Sequence, residues 1–311
     1  MRLLDSILHA FSGPGIADVK VDCAKLPAFR AEHFPDAGPK PWLDDDRWHQ
    51  RLASLPSEHA ELCRKWATDG YIVLPKLVPD ALLDEAWLAY EEAVQRGKII
   101  LPGDLASDDD KLPGRCLNPH KRVSRFCKVA KHPDLMTWLK LLLGHPAKLL
   151  QTIASHKGSQ QSAHSDSIHM TTYPLGYLAA SWIAFEDIHP DSGPLEFYPG
   201  SHRLPYVFSH SLRIPEDGLK TDGYGPYRAR YEPFVRKLVE EHGLKPKLFE
   251  ARKGDALIWH ANLLHGGSPR RNLQLTRKAL VGHYFANRAF VYHDLSAKSS
   301  RQQYFDGCLV P

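Results

Sequence analysis

The stretch Ala147-Lys148-Leu149-Leu150-Gln151-Thr152-Ile153-Ala154-Ser155-His156 opens a series of short strand-like segments punctuated by Pro and Gly, and that texture decides the fold class. Further segments follow at 177–186, 194–198, 255–260 and 274–285. This pattern predicts a mainly β chain with flanking helices, folded as a double-stranded β-helix, or jelly roll. Upstream, helical spacing takes over. One helix is expected near 48–68, ending before Asp69-Gly70, and a second from Pro79 to Gly97, with Leu82, Leu83, Ala86, Trp87, Tyr90 and Val94 on one face. Tyr71–Leu74 reads as a strand between them, and a third helix over about 132–143 stops at Gly144. A polar, aromatic insertion over about 203–247, with a helix near 227–242, interrupts the β region as a lid-like element. Residues 1–45 predict an extended arm, 46–290 a single domain with an N-terminal helical layer, and 291–311 a tail.

The chain has 311 residues, 43% of them hydrophobic, which is ample for one sizeable core. A net charge of +4 and 10% aromatics point to neither disorder nor nucleic-acid binding, so the expected partner is a small molecule. The five cysteines, Cys23, Cys63, Cys116, Cys127 and Cys308, are scattered without a Cys-x-x-Cys pair. That argues against a disulfide framework or zinc knuckle and for a reducing cytoplasm. The apolar N-terminal run is broken by Asp5 and His9, a poor signal peptide, and no apolar run approaches the roughly 20 residues that span a bilayer. P-loop, Rossmann, metalloprotease-helix and nucleophile-elbow motifs are missing from the sequence.

His164-Ser165-Asp166, a distant His265 and then Arg277 carry the chemistry. Two imidazoles and one carboxylate suit a non-haem Fe(II) site, because three facial ligands leave half of an octahedron open. About two His-x-acid pairs are expected by chance and four occur, so context has to choose among them. His59/Glu61 lies in a helical pattern, where residues two apart diverge, and His132 and His189 precede prolines at turn signals. His164/Asp166 closes a strand-like segment, where alternate side chains share a side. Strand alternation places Arg277 on one face with Leu275, Ala279 and Val281. A guanidinium on an apolar face needs a carboxylate, and a keto-diacid would supply one.

Several blocks in order resemble the phytanoyl-CoA dioxygenase (PhyH-like) family of Fe(II)/2-oxoglutarate-dependent oxygenases. They are His-Ser-Asp at 164–166, Ser-Trp-Ile-Ala-Phe-Glu-Asp-Ile at 181–188, and Gly-Pro-Leu-Glu-Phe-Tyr-Pro-Gly-Ser-His at 193–202. Gly-Asp-Ala-Leu-Ile-Trp-His at 254–260, Leu-Leu-His-Gly at 263–266 and Arg-Lys-Ala-Leu-Val-Gly-His-Tyr at 277–284 continue the series. The resemblance covers about residues 60–290 and implies a cupin-like jelly roll. It further implies that His164, Asp166 and His265 hold Fe(II), that Arg277 binds the far carboxylate of the cosubstrate 2-oxoglutarate, and that Trp182 lines the cosubstrate pocket. Relatives carry a hydroxyl two residues after the distal histidine; here that position is Gly267, which leaves Ser268 and Thr276 as alternatives. His260 rivals His265, but His265 has the following Gly-Gly turn and the better spacing to Arg277. Related halogenases replace the carboxylate with Ala or Gly, so Asp166 resembles the hydroxylating branch. The implied reaction uses O2 and 2-oxoglutarate to hydroxylate an aliphatic carbon.

The substrate is less legible. Lys111, Arg115, Lys121, Arg122, Arg125, Lys128 and Lys131 form a run without an acid, which favours an anionic or acyl-type metabolite. Tyr224, Tyr227, Tyr231 and Phe234 are lid candidates, and His169, Arg125, Tyr224, Tyr227 and Trp259 are candidates for facing the substrate. Two alternatives stand beside the oxygenase: a non-oxidative metal enzyme, such as a zinc isomerase or hydrolase on the same barrel, and a silent binding module.

Overall fold

The computed structural model describes residues 18–20, 40–101, 114–215, 224–287, 289–295 and 298–300. Its centre is a six-stranded antiparallel sheet in the order β2 (Tyr71–Leu74), β9 (Ala256–His260), β6 (Leu178–Ala184), β11 (Ala279–Ala286), β4 (Ala147–Ser155) and β3 (Cys116–Leu117). A second sheet pairs β10 (His265–Gly267), β7 (Leu195–Phe197) and β8 (Lys247–Phe249). Two further pairs join β5 (Thr171–Tyr173) to β12 (Phe290–Tyr292) and β1 (Asp18–Lys20) to β13 (Lys298–Ser300). The expected jelly roll is the fold observed.

Alternation along β6 explains how the layers divide. Ala179 and Ile183 face a helical layer, whereas Ala180, Trp182 and Ala184 face inward. The outer layer is made of α1 (Trp48–Leu52), α2 (Ser57–Asp69), α3 (Asp80–Gln95), α4 (Ser124–Ala130) and α5 (Pro133–Leu143). Leu83, Leu135, Leu139 and Leu142 are fully buried there, each contributing about 1.5–3 kcal/mol of apolar burial. The helix expected over 48–68 is two helices, because Pro56 cannot continue α1 and instead caps α2 with an extended ψ of 145°. Helix α4 lies inside the basic run, where the sequence pattern predicts none. The strand expected from residue 274 begins at Ala279, since Leu275 closes a turn on Asn272. Arg277 nevertheless stays in line, its N–H donating to His156 O at 2.6 Å.

Most of the expected arm and tail lies outside the described residues, as do Lys111 and residues 216–223 of the insertion. Helix α6 (Gly225–Glu241) realises the rest of the insertion, and Tyr227, Tyr231 and Val235 seat it against Ile168, Tyr198 and Leu264. Phe234 points outward at 38% exposure and is no part of that seat. Cys63, Cys116 and Cys127 are free thiols. No helix among the described residues is long and apolar enough to cross a membrane.

Several imidazoles are folded in neutral form. Burial, then the His260 imidazole, holds His202 down to about 3, and burial, then Lys121 and Lys131, holds His120 down to about 4. Below their unfolded values the unfolded chain binds more protons, so stability falls as pH drops from about 6.5 toward 4 and is flat for these groups above that range. Thermal melts of metal-free protein at stepped pH are expected to show this decline. A Tm independent of pH between 7 and 4.5, or rising on acidification, would contradict the burial of neutral histidines.

Candidate metal centre

Backbone geometry brings the two ends of the site together. His164 and His265 exchange both backbone hydrogen bonds, N to O at 2.9 and 2.8 Å. Such proximity requires Gly266 and Gly267: a Cβ on either would lie 2.7 Å from the backbone of Gln161 or Gln160. Ser165 is extended and Asp166 starts a single 3-10 turn, so His164 and Asp166 reach the same side. Ser165 turns away, and its N–H donates to Tyr231 Oη at 3.0 Å, docking α6 directly on the loop.

One ligand atom from each of His164, Asp166 and His265 lies within 4.8 Å of the others, and all three residues are buried. Nδ1 of each imidazole meets a backbone carbonyl two residues earlier, Ser162 O and Leu263 O, both at 2.9 Å. Nδ1 therefore carries the proton, and each Nε2 lone pair is left to face inward. His265 Nε2 is 3.6 Å from Asp166 Oδ1, and His164 Nε2 meets the Gln161 amide nitrogen at 3.2 Å. Burial, then His265, pushes His164 well below its ordinary value, which keeps it neutral. Burial works to raise the Asp166 carboxyl, but His265, His283 and His164 outweigh it and hold it below the usual carboxylate range. Two imidazoles and a carboxylate converging on one point fit a divalent cation.

Arg277 is 4% exposed and forms no ion pair with any described carboxylate. Its Nη1 donates to Gly193 O at 3.0 Å, its guanidinium lies 5.8 Å from the Trp182 ring centre, and its buried Nε has no protein partner among the described residues. Burial, then Arg115 and Arg270, holds it down to about 10, so it remains cationic at neutral pH. Leaving such a group without a counter-charge is costly unless a ligand provides one.

The remaining sequence candidates divide. Ser268 is buried beside this clamp, its hydroxyl donating to Pro194 O at 2.9 Å. Thr276 projects to the other face and donates to Glu186 at 2.9 Å, so it cannot line the same pocket. Tyr224 and Tyr227 do approach the site: His169 stacks near both, at 6.1 and 5.3 Å between ring centres, and 5.6 Å from His164. Burial, then the His293 imidazole, holds His169 down to about 3. Arg125 is not brought to the centre: it sits on the exposed side of α4 and pairs with Glu85 at 3.1 Å. Trp259 lies at the centre itself, its indole N–H donating to Asp166 Oδ2 at 2.9 Å. His260 faces the helical layer, 3.4 Å from Asp44, which leaves His265 in the centre.

Of three further contributors, His283 escapes a reading of the sequence alone, while Tyr231 stands there only as a lid residue and Arg115 only as one of a basic run. His283 Nε2 lies 3.4 Å from Asp166 Oδ1, and Tyr231 anchors Ser165. Arg115 interacts electrostatically with Asp166, Tyr224 and Arg277, and burial lowers its pKa. His283 shares strand alternation with Arg277, and that signal could have found it.

The phytanoyl-CoA dioxygenase (PhyH) family pattern matches residues 66–279, more than half of the chain. The chain belongs to the phytanoyl-CoA dioxygenase family. Among curated relatives, the mouse (Mus musculus) phytanoyl-CoA dioxygenase domain-containing protein 1 is 40% identical over 140 residues, 43% of this chain and 46% of that protein. The matched stretch thus spans about half the length of that relative. Among solved structures, EctD from S. alaskensis with bound Fe has a TM-score of 0.58 at 17% identity, over 78% of this chain and 80% of that one. SnoK of nogalamycin biosynthesis, a non-heme alpha ketoglutarate dependent carbocyclase, has a TM-score of 0.57 at 17% identity, over 77% and 87%. At these identities the two structures establish the shared fold.

Proposed function

We propose that this phytanoyl-CoA dioxygenase family member is an Fe(II)- and 2-oxoglutarate-dependent dioxygenase that hydroxylates an aliphatic carbon of a small anionic or acyl-type metabolite. One observation carries the reading: a buried guanidinium without a described counter-ion, Arg277, belongs to the same inner layer as a converging His164, Asp166 and His265 set. A zinc hydrolase or isomerase has no use for a buried diacid clamp.

His164, Asp166 and His265 would hold the iron, leaving positions for cosubstrate and dioxygen. Together with dioxygen, ferrous iron and 2-oxoglutarate would supply the oxidant: one oxygen atom would enter succinate as carbon dioxide is lost, and the other would be available for the substrate. Arg277 would receive the far carboxylate bidentately, with Trp182 as the wall beneath it and Ser268 at its edge. Arg115 adds a second cation, so the site as a whole favours a dianion. Tyr224, Tyr227 and His169 supply an aromatic wall for the substrate, and α6 excludes water from that side.

The test is turnover of 2-oxoglutarate to succinate by purified protein, screened over acyl-CoA thioesters, amino acids and sugar acids. Succinate formation should require both Fe(II) and oxygen, and one oxygen atom from labelled dioxygen should appear in the product. Turnover supported by zinc without succinate would overturn the reading. Succinate without labelled product would replace hydroxylation by a desaturating or ring-forming outcome, the latter being the class of reaction to which the carbocyclase SnoK belongs.

A further inference from the structure

Register across the central sheet sets one inward row: Gln151 on β4 opposes His283 on β11, His283 opposes Ala180 on β6, Ala180 opposes Trp259 on β9, and Trp259 opposes Tyr71 on β2. The small residue stands between the two large polar ones. Asp166 receives a hydrogen bond from Trp259 Nε1 on Oδ2 at 2.9 Å and meets His283 Nε2 at 3.4 Å from Oδ1. All three are buried, at 1, 3 and 4% exposure for Trp259, His283 and Asp166. Trp259 also packs on the second imidazole, 4.8 Å between its ring and that of His265. A β-bulge falls between His283 and Tyr284 against β4, where a bulge re-aims the side chains beside it.

An ionised carboxylate offers acceptor sites on both oxygens and can chelate a metal through either or both. An indole is a donor only, so it occupies Oδ2 without adding a competing ligand atom. Oδ1 is the oxygen turned toward His265 Nε2. We propose that Trp259 is a positioning residue that restricts Asp166 to ligation through Oδ1, with His283 steadying that oxygen and Ala180 leaving the room both need. This rests on the metal-binding reading above. It assigns Trp259 to the metal centre and away from the substrate wall.

Trp259→Phe keeps an aromatic ring but removes the N–H together with part of the indole. Titration with Co(II) or Mn(II), followed by absorption or spin resonance, is expected to show binding weakened about 10- to 100-fold, the usual consequence of losing an outer partner of a ligand. The Co(II) absorption bands should also change in intensity as the freed Oδ2 gains access to the metal, while metal-free protein, having lost core volume and a donor to a buried carboxylate, melts lower than wild type but still cooperatively. Unchanged affinity and unchanged bands in the variant would reduce Trp259 to core packing and overturn the proposal. Ala180→Val, which fills the gap under the carboxylate, should weaken the metal in the same way. Should Trp259→Phe fail to fold, wild-type protein with 15N-labelled indoles serves: one of the seven tryptophan signals must be exchange-protected and shift on Zn(II) addition, and seven unmoved signals would refute the assignment. Failure of wild-type protein to bind any of these metals sinks the function reading instead, so the two failures are distinguishable.

Discussion

Asp166→Ala is expected to abolish metal binding and turnover together. The carboxylate is the one anionic member of the converging set, and it faces His265 Nε2 at 3.6 Å and His283 Nε2 at 3.4 Å. Without it only the two imidazoles remain, and the loss should exceed the 10- to 100-fold typical for an outer partner, that is, more than about 100-fold in affinity. The substitution also leaves the buried Trp259 N–H unpaired, at a cost of about 1–3 kcal/mol. Relief of a buried charge offsets part of that cost. The melting temperature of metal-free protein should therefore move little. The separation is clean in a thermal-shift titration: wild-type protein at a metal concentration of about 100 times Kd gains about 2.7 kcal/mol, and the variant gains nothing. A variant that still binds Fe(II) near wild-type affinity, or still forms succinate, would remove Asp166 from the ligand set.

What the sequence disclosed depended on the range over which its signals act. Alternation is local, and it correctly put His164 with Asp166 and Arg277 with Ala279 and Val281. The same rule sets Thr276, kept as a cosubstrate alternative, on the face opposite its neighbour Arg277, and carried further along the strand it would have pointed to His283 six residues on. Trp259 illustrates the limit. Alternation sends it inward, opposite His260, but its partner lies 93 residues away in the chain and only cross-strand register brings them together. The basic run failed for a related reason: seven cations in sequence carry no information on which one turns inward. Helix α4 presents Arg125 to Glu85, Arg122 donates to Lys98 O, and Arg115, before β3, reaches the site. Pro56 is a local signal by which the helix expected over 48–68 could have been divided.

Arg277→Met carries the opposite signature to Asp166→Ala, because here function and stability part. The guanidinium is buried, held by one backbone carbonyl and the Trp182 face, and has no ion-pair partner among the described residues. Burial and the neighbouring Arg115 and Arg270 already depress its pKa to about 10, a direct sign that the folded chain bears the charge at a cost. A buried ion carries a desolvation penalty that an apolar side chain of similar size does not, and here no protein carboxylate is left stranded by its removal. Metal-free Arg277→Met should accordingly melt above wild type. Its affinity for 2-oxoglutarate should fall by about 2–5 kcal/mol, the cost of losing one member of a buried hydrogen-bonded charge pair, or roughly 30- to 5,000-fold. Metal affinity measured without cosubstrate should be unchanged, since Arg277 touches none of the three ligands. The decisive comparison is between dicarboxylate and monocarboxylate keto acids: wild-type protein should prefer 2-oxoglutarate over a monoacid of equal length, and the variant should lose the preference by binding the diacid less, with the monoacid unaffected. A variant that melts lower than wild type while retaining the diacid preference would mean that Arg277 is already satisfied within the fold, and the site would then lack the clamp on which its cosubstrate assignment depends.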